Sequence, residues 1–482
     1  MERADVNDLE TEPEADPRPR LSGTPSDLGF VVLFSSEGSE HLGAWIPVPE
    51  GRANLLGRGA PREGDEVSKL EPVRQRPGDA RRVPPFSQPA LSRAQLLVKR
   101  LGSEMLLIEN VGRCRVAVNG VETRQTTLGP GDLVEVGSQL LLICALRPRE
   151  LAGPAEGLHE FGRADSYGFV GESPAAWRLR ADVAAVAPRV GHVLILGATG
   201  TGKELVAMAL HSRSGAGKLT SRNAATLPEA LVDAELFGNL KNYPNPGTPD
   251  RPGLIGAADG GCLFLDEFAE LPQSAQAHLL RALDHGEYQR LGEASVRHSR
   301  FRLIAATNRP ESALRRDLLE RFDFRLRVPT LSDRLEDIPF IARHLLASMA
   351  AEAPELCSKF AGADGLPKLS LSFVARLARH PFEGNVRELR SLLWAALHEA
   401  PGDGWLEWPR SATSHAEPQW SQPPAAIPTT ELASGVREQI ASVLEACGGN
   451  QRRAAEMLGM PRRTLVRRIA ELGIPRPRKP TD

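Results

Sequence analysis

Two stretches of the chain place glycine or charged residues directly after an apolar run of strand length. The first begins at His192 and runs into Gly197-Ala198-Thr199-Gly200-Thr201-Gly202-Lys203-Glu204. A glycine-rich turn between a strand and a helix lets backbone N–H groups face a polyphosphate, and the helix N-terminus adds positive potential. The sequence therefore predicts a phosphate-binding loop whose Lys203 reaches the terminal phosphates.

The second stretch, residues 260–267, is an apolar strand that ends in two acids, Asp266 and Glu267. Nucleotide hydrolases use carboxylates in this position to hold Mg²⁺ and to orient the attacking water. A glycine turn alone arises readily in a chain with 44 glycines. An acidic strand end alone is no more specific, but the two in this order predict a site for ATP and Mg²⁺, with Asp266 as the metal ligand.

Composition limits the other functions that the chain can have. Its 482 residues predict roughly three domains. The net charge is only −2, so affinity for DNA must come from a local basic patch. The five cysteines form no C-x-x-C pair, which argues against a disulfide framework and against zinc. We find no apolar run of membrane-spanning length and no signal segment, and therefore expect a cytoplasmic protein without a membrane partner.

Changes of pattern along the chain predict a multidomain protein. Short alternating strands with turn signals favour an N-terminal β-sandwich, interrupted by a long Pro- and Arg-rich loop at about residues 60–90. Strands that alternate with helices favour a parallel α/β sheet, and helical spacing follows it. The predicted segments are a disordered tail at 1–28, the β-sandwich at 29–147, an α/β core at 166–330, a helical lid at 331–400, a linker at 401–431 and an all-α helix-turn-helix at 432–482.

The first domain resembles a forkhead-associated domain, a β-sandwich whose loops read phosphothreonine peptides. The matching pieces are Leu56-Gly57-Arg58, Leu91-Ser92-Arg93-Ala94-Gln95, Val118-Asn119-Gly120 and Leu128-Gly129-Pro130-Gly131-Asp132. The resemblance implies a phosphopeptide site at Arg58 and Ser92, with Arg93 beside them; a guanidinium and a hydroxyl suit a phosphate. Gln95 stands where the family usually has histidine, so a sandwich kept only for protein contacts is the alternative.

The central block, about residues 168–400, resembles the AAA+ P-loop ATPases that activate sigma-54 RNA polymerase, the bacterial enhancer-binding proteins. Residues 197–204 and 260–272 match the Walker A and Walker B stretches of that family. The resemblance implies that Lys203 neutralises the β- and γ-phosphates and that Glu267 polarises the water. It further implies that Asn223 restrains the catalytic glutamate, that Asn308 is the first sensor of the γ-phosphate and that Arg387 is the second sensor, on the lid.

Two arginines of this block match residues that enter the site of a neighbouring subunit in the family. They are Arg315 and Arg321, in the segment Leu314-Arg315-Arg316-Asp317 and just beyond it. An arginine that acts in trans requires each site to be completed by the next subunit. The resemblance therefore implies a homo-oligomeric ring.

One departure from the family lies at residues 241–247. The family has a Gly-Ala-Phe-Thr-Gly-Ala loop tip that contacts sigma-54, whereas this chain has Lys241-Asn242-Tyr243-Pro244-Asn245-Pro246-Gly247. Two prolines stiffen a loop that moves with the nucleotide in the family. Two functions stay open: an ATP-driven regulator that acts on the sigma-54 holoenzyme, and a DNA-binding regulator that uses nucleotide for assembly without remodelling that polymerase.

The C-terminal segment resembles the Fis-type helix-turn-helix. Residues 434–482 contain ten Lys and Arg against five Asp and Glu, a net charge of +5 in a chain whose total is −2. A tight turn at Gly459 sets two helices across each other, so the second can enter a major groove. The residues expected to contact base edges or phosphates are Arg462, Arg463, Thr464, Arg467 and Arg468.

Overall fold

A computed structural model describes residues 25–61, 67–154, 158–362, 365, 367–400, 404–412 and 444. The predicted helix-turn-helix except Leu444, most of the predicted linker and most of the predicted tail lie outside these residues. None of the helices in the described part of the chain combines the length and apolar character needed to cross a bilayer.

The N-terminal part forms two β-sheets that share one apolar core. The larger sheet has the strand order β10-β9-β12-β13-β1-β2-β5-β6 and the smaller β11-β8-β7-β3-β4. Core residues from both sheets, such as Phe30, Leu96 and Leu142, are fully buried. A β-rich N-terminal domain is thereby confirmed. Its strands are β1 Ser26–Ser35, β2 Trp45–Pro47, β3 Ala53–Leu56, β4 Ser68–Lys69, β5 Val73–Arg76, β6 Asp79–Arg82, β7 Leu96–Leu101, β8 Met105–Asn110, β9 Val116–Val118, β10 Val121–Glu122, β11 Gln125–Leu128, β12 Leu133–Val136 and β13 Leu140–Pro148.

Two segments differ from the sequence-based expectation. Strand β1 starts at Ser26, inside the predicted tail, because Leu28 is buried in the core and pairs with Leu146 on β13. The stretch expected to be a long loop contains β4 and the antiparallel pair β5–β6. Its arginines and prolines conceal the strands, but Gln75 of β5 is buried and donates a hydrogen bond to the Pro148 carbonyl at 2.7 Å.

The central block is an α/β core around a parallel sheet. Five strands in the order β15-β16-β19-β14-β20 pair in parallel, which confirms the predicted sheet. Both faces are buried: Val193 and Ile195 of β14 pack on one side, and Leu194 and Leu196 on the other. The elements are α1 Pro174–Val186, β14 His192–Leu196, α2 Lys203–Ser214, β15 Leu219–Asn223, α3 Val232–Phe237, α4 Gly253–Ala257, β16 Cys262–Asp266, α5 Gln273–His285, β17 Glu287–Tyr288, β18 Arg297–His298, β19 Arg302–Thr307, α6 Arg316–Leu319 and β20 Phe322–Arg327.

The lid is helical, as expected, and extends slightly beyond residue 400. Its elements are α7 Ile338–Glu352, α8 Pro354–Ser358, β21 Lys368–Leu369, α9 Leu371–Arg379, α10 Asn385–Glu399 and β22 Trp405–Leu406, with β21 and β22 paired in parallel. Ser370 caps α9 by accepting the Phe373 N–H at 3.1 Å. The inner faces of α9 and α10, which include Leu377 and Leu393, form a separate apolar core.

Candidate nucleotide site

The predicted phosphate loop lies between β14 and α2. Gly200 and Gly202 adopt φ of +75° and +98°, in the left-handed region that favours glycine. The Gly197 N–H donates to the Thr307 carbonyl at 3.2 Å, which ties the loop to the end of β19. Helix α2 has no side-chain cap at Gly202, so the N–H groups of its first turn are available to an anion.

Lys203 is held against this loop. Its Nζ donates to the carbonyls of Gly197 at 2.9 Å and Ala198 at 3.2 Å, and the side chain is 7% exposed. Burial lowers the pKa of Lys203, while the nearby carboxylates of Glu267 and Asp266 raise it. The ammonium therefore stands between the loop and the two predicted acids, where a phosphate charge would pair with it.

The two acids lie at the end of β16, whose apolar residues Leu263 and Leu265 are fully buried. One oxygen of Asp266, Oδ1, is buried and has no hydrogen-bond partner among the described residues. An unpartnered carboxylate oxygen beside a phosphate loop fits a hard cation such as Mg²⁺, which prefers oxygen ligands. Glu267 is half-buried and has φ +49°, a conformation that costs a non-glycine residue about 1–3 kcal/mol and is concentrated at functional sites.

The two predicted asparagines have different surroundings. Asn308 follows β19, and its Nδ2 donates to Thr199 Oγ1 at 3.0 Å, so it contacts the phosphate loop directly. Asn223 ends β15 in register with Asp266, and its Oδ1 accepts the Ala225 N–H at 2.9 Å. No hydrogen bond between Asn223 and Glu267 occurs within the part of the chain that the structure covers, so the restraint of the glutamate stays a prediction.

The lid touches the same loop through residues that sequence reasoning missed. Asn385 is buried; its Nδ2 donates to the Thr199 carbonyl at 3.1 Å, and its Oδ1 accepts the Leu331 N–H at 2.9 Å. The Val386 N–H donates to the Gly200 carbonyl at 3.1 Å. A Cβ on Gly200 would lie 2.2 Å from the Gly384 carbonyl oxygen, so only glycine allows this approach.

Arg387 follows Val386 in the first turn of α10, and its side chain is exposed. Burial is the main cause of the lowered pKa of Lys203, and the positive charge of Arg387 lowers that pKa further. The structure thus places Arg387 near Lys203, and its role as the second sensor stays a prediction. Asn385 stands two residues earlier and has φ +51°, a conformation that asparagine tolerates better than most residues. That position beside Gly384, at the start of a helix, was the available sequence signal.

Arg315 and Arg321 each form an ion pair with an acid outside the phosphate loop. Arg315 precedes α6 and pairs with Asp317, with Nη2 and Oδ2 2.6 Å apart, and Arg321 pairs with Asp284. Both side chains are partly exposed. Within the described residues neither makes a hydrogen bond or ion pair to Lys203, Asp266 or Glu267.

The predicted phosphopeptide residues share one loop cluster of the N-terminal domain. The Arg58 N–H donates to the Ser92 carbonyl at 3.0 Å, and the exposed Arg93 side chain lies beside Gly59. Ser92 Oγ accepts the Arg113 N–H at 2.9 Å, which leaves the hydroxyl hydrogen free to donate elsewhere.

Gln95 joins the two loops of this cluster. Its Nε2 donates to Asn110 Oδ1 at 2.8 Å and to the Cys114 carbonyl at 3.1 Å, and its Oε1 accepts the N–H groups of Ser92 and Cys114, both at 3.3 Å. The side chain is 1% exposed. The carboxamide thus fills all of its main bonding positions and fixes Ser92 against the 110–114 loop.

The loop at 241–247 is a compact turn closed by its own hydrogen bonds. The Asn242 N–H donates to the Thr248 carbonyl at 2.8 Å, and the Gly247 N–H donates to Asn242 Oδ1 at 2.9 Å. The Tyr243 ring covers Gly292, where a Cβ would lie 2.7 Å from the ring. The loop base is fixed by the bridge between Asn239 and Arg251.

The predicted DNA-contacting residues, 462–468, lie outside the described residues.

Comparison with family models gives three consecutive matches. Residues 169–332 match the sigma-54 interaction domain, residues 332–406 an AAA+ ATPase lid domain, and residues 437–472 the Fis family of bacterial regulatory proteins. The first two contain the phosphate loop, its acids and the lid residues described above. The third contains all five predicted DNA-contacting residues.

Curated relatives match over the same region. The transcriptional regulatory protein ZraR of Escherichia coli strain K12 is 36% identical over 318 residues, which are 64% of this chain and 69% of ZraR. The DNA-binding transcriptional regulator NtrC of a Bradyrhizobium species is 33% identical, over 68% of this chain and 74% of that protein. A crystal structure of NtrX from Brucella abortus in complex with ADP is 29% identical and covers 64% of this chain and 70% of NtrX, with a TM-score of 0.45. The chain belongs to the family of sigma-54-dependent transcriptional regulators, with an AAA+ ATPase module and a Fis-type helix-turn-helix.

Proposed function

We propose that the protein is an ATP-hydrolysing, sequence-specific DNA-binding transcription regulator. One observation carries the proposal: Lys203, the two acids, Asn308 and the lid residues of α10 converge on a single phosphate loop. Phosphoryl transfer to water needs positioning and neutralisation of charge rather than covalent help, and these residues supply both.

Each side chain has a separate role in this proposal. Lys203 neutralises the terminal phosphates, and Glu267 orients and polarises the attacking water. Asp266 would hold Mg²⁺, which when bound neutralises charge on the phosphate oxygens. Asn308 contacts the γ-phosphate from the end of β19, and Arg387 contacts the nucleotide from the lid. Arg315 and Arg321 complete the site of the next subunit in a homo-oligomeric ring, which their surface position in this chain supports.

Replacing Lys203 tests the ATPase directly. Lys203→Ala should abolish binding of a fluorescent ATP analogue, because the buried ammonium is the main positive charge on the loop. Lys218, in the same core just before β15, offers a matched control, and Lys218→Ala should bind nucleotide as the parent does. Binding of the analogue by Lys203→Ala with parental affinity would contradict the assignment.

A second function, nucleotide-controlled DNA binding without remodelling of the sigma-54 polymerase, is favoured by the 241–247 turn. The family delivers its work through a Phe-Thr loop tip, and here Tyr243 packs on Gly292 while the loop satisfies its own backbone. A conformational change driven by ligand needs a contact that differs between states. The proposed output is therefore ATP turnover without efficient opening of a sigma-54 promoter.

DNA is the proposed partner of the C-terminal segment. Deleting residues 434–482 removes all five proposed contact residues and a net charge of +5. Specific DNA binding should be lost, about 10³-fold or more in affinity for the preferred sequence, while ATP turnover remains. Specific binding by the truncated protein, measured by electrophoretic mobility shift with competitor DNA, would rule out the helix-turn-helix as the reader.

The proposed partner of the N-terminal domain is a phosphothreonine protein, through a forkhead-associated type of site. Support comes from the loop cluster, where Arg58, Ser92 and Arg93 lie together and the Ser92 hydroxyl can donate to a phosphate. Gln95 fixes the cluster in place of the histidine usual in that family. Binding of a phosphothreonine peptide library that is lost in Arg58→Ala would support the assignment, and binding insensitive to that change would contradict it.

A further inference from the structure

The N-terminal β domain is packed against the lid by a continuous apolar contact. Strand β1 has both faces buried: Phe30 and Val32 enter the core of the domain, while Val31 and Leu33 face outward against the lid. The lid residues covered there are Val374, Ala375 and Ala378 of α9, all buried. Because this outward face is apolar and covered, the contact removes apolar surface from water and is thereby stabilised.

An ion pair closes the edge of this contact. Glu135 of β12 lies on the same strand face as the buried Leu133, and Arg379 ends α9. Arg379 Nη2 and Glu135 Oε1 are 2.5 Å apart, and both side chains are about one-fifth exposed. This ion pair therefore joins the N-terminal domain to the lid.

Arg147 contacts both the ATPase core and the lid at the junction between them. It lies on β13 and is 2% exposed. Its Nη2 donates to the Glu172 carbonyl at 2.8 Å, on the core side, and its Nη1 lies 3.5 Å from Glu336 Oε2, on the lid side. One guanidinium of the N-terminal domain thus connects the segment before α1 with the segment before α7.

A second arginine of the N-terminal domain fixes the core side. Arg76 of β5 donates through Nε and Nη2 to the two carboxylate oxygens of Glu172, which is 2% exposed. The same carboxylate accepts the Trp177 Nε1–H at 3.1 Å and the Gly162 N–H at 2.7 Å. Separating the domains would leave a buried carboxylate without its cation, which is strongly unfavourable.

The core and the lid are also joined directly at the same place. Asp337, fully buried at the start of α7, accepts the N–H groups of Glu172 at 2.7 Å and Ser173 at 2.9 Å, and the Ser173 hydroxyl at 2.6 Å. The N-terminal domain therefore contacts the junction of core and lid directly, through Glu172 and Glu336. The lid that begins there carries Asn385 and Val386, which contact the phosphate loop.

We propose that the N-terminal domain is a brace of the nucleotide site: it holds the lid over the phosphate loop and thereby strengthens nucleotide binding. Arg147, Arg76, Glu135 and Arg379 are positioning residues, since none of them contacts the loop. The inference rests on the proposal that the chain binds ATP. It predicts that loosening the brace weakens nucleotide binding even though the phosphate loop is untouched.

A charge swap at the edge of the contact tests the brace. In a Glu267→Gln background, which prevents turnover, the dissociation constant of a fluorescent ATP analogue is measured for Arg379→Glu, for Glu135→Arg and for both together. Each single change places like charges together and should weaken binding about threefold to tenfold, and the double change should restore most of it. Arg147→Met, which leaves Glu336 unpaired, should weaken binding by about tenfold or more.

The control is Arg390→Glu, which breaks an ion pair inside the lid, where Arg390 Nη2 lies 2.8 Å from Glu352 Oε1; these two side chains are more exposed than Arg379 and Glu135. It should leave the dissociation constant unchanged. Equal binding by the parent, both single variants and the double variant would overturn the brace. If Arg147→Met fails to fold, the charge swap still decides, because its two residues lie at the partly exposed edge.

Amide hydrogen exchange separates failure of the brace from failure of nucleotide binding. Without nucleotide, exchange at residues 197–203 and 384–390 should be faster in each single variant and return toward the parent in the double variant. A parent that binds no nucleotide would contradict the proposed function while this exchange pattern still tests the brace. Unchanged exchange in the single variants would overturn it.

Discussion

The phosphate loop and the 241–247 loop are both glycine-containing turns of the α/β core, but they are held in different ways. The phosphate loop is bonded to other segments: Gly197 to Thr307, Thr199 to Asn308 and Asn385, and Gly200 to Val386. The 241–247 loop is bonded mainly to itself. A loop bonded to Asn308 and to the lid can change these contacts when a nucleotide binds. A loop bonded to itself has no such contact that would differ between the free and the nucleotide-bound state.

The largest expected effect tests the catalytic half of this comparison. Glu267→Gln should reduce ATP turnover by about 100-fold or more, because the carboxylate that polarises water is lost, and should leave nucleotide binding intact. The measurements are phosphate release and binding of a fluorescent ATP analogue. Glu270→Gln, three residues along and paired with Arg309, is the matched control and should hydrolyse ATP normally. Turnover near the parental rate in Glu267→Gln would remove that residue from its role.

Replacing glycine by alanine should weaken nucleotide binding in the phosphate loop but not in the 241–247 loop. Gly200→Ala should weaken ATP binding by about tenfold or more, because φ is +75° and a Cβ would collide with the Gly384 carbonyl. Gly247→Ala, at φ +92° with open space around the Cβ, should lower the free energy of unfolding by about 1 kcal/mol and leave ATP binding unchanged. Titration calorimetry and urea unfolding would measure both. Similar losses of ATP affinity in the two variants would contradict the claim that only the phosphate loop contributes to nucleotide binding.

Asparagine provides a subtler pair, since Asn385 and Asn242 both have positive φ and both accept a backbone N–H. Asn385→Ala leaves the buried Leu331 N–H without its acceptor and removes the side-chain hydrogen bond from the lid to the Thr199 carbonyl. We expect the KM for ATP to rise about threefold to tenfold. Asn242→Ala should leave the KM unchanged because its bond closes only the 241–247 turn. An unchanged KM in Asn385→Ala would show that the lid contact does not matter for ATP.

The last effect is one on stability rather than on ATP and concerns Glu336, at the junction of core and lid. Burial raises the pKa of Glu336 from 4.5 to about 7; the nearby Arg147 opposes the shift and Asp337 adds to it. Between these two pH values the unfolded chain releases a proton that the folded chain keeps, so this group lowers stability as pH rises from about 4.5 to about 7, with no further change above that range. Glu336→Gln should remove that decline, on the order of 1–3 kcal/mol, from the free energy of unfolding. Identical pH profiles for parent and variant would contradict the assignment.

The sequence predicted those parts of the site that lie in contiguous motifs. Lys203, Asp266 and Glu267 follow buried strands at fixed spacing, and a parallel sheet brings such strand ends to one edge. Asn385 was missed because its partners, Thr199 and Leu331, are distant in sequence.

The contacts between domains were missed for the same reason. Nothing local indicates that Arg147 pairs with Glu336, or that the outward face of β1 is covered by α9. Strands β5 and β6 were concealed because arginine and proline dominate that stretch. The β-rich, α/β and helical character of the three blocks could be predicted, since periodicity is a local property.

The most direct test of the central contrast measures ATP hydrolysis and promoter opening in one preparation. Full-length protein, sigma-54 holoenzyme, a sigma-54 promoter with this protein's binding site and ATP are combined; phosphate release and permanganate reactivity of the promoter are followed together. We predict ATP turnover with little open complex, and open complex only after residues 241–247 are replaced by the Gly-Ala-Phe-Thr-Gly-Ala tip. Robust ATP-dependent opening by the unmodified protein would contradict the account.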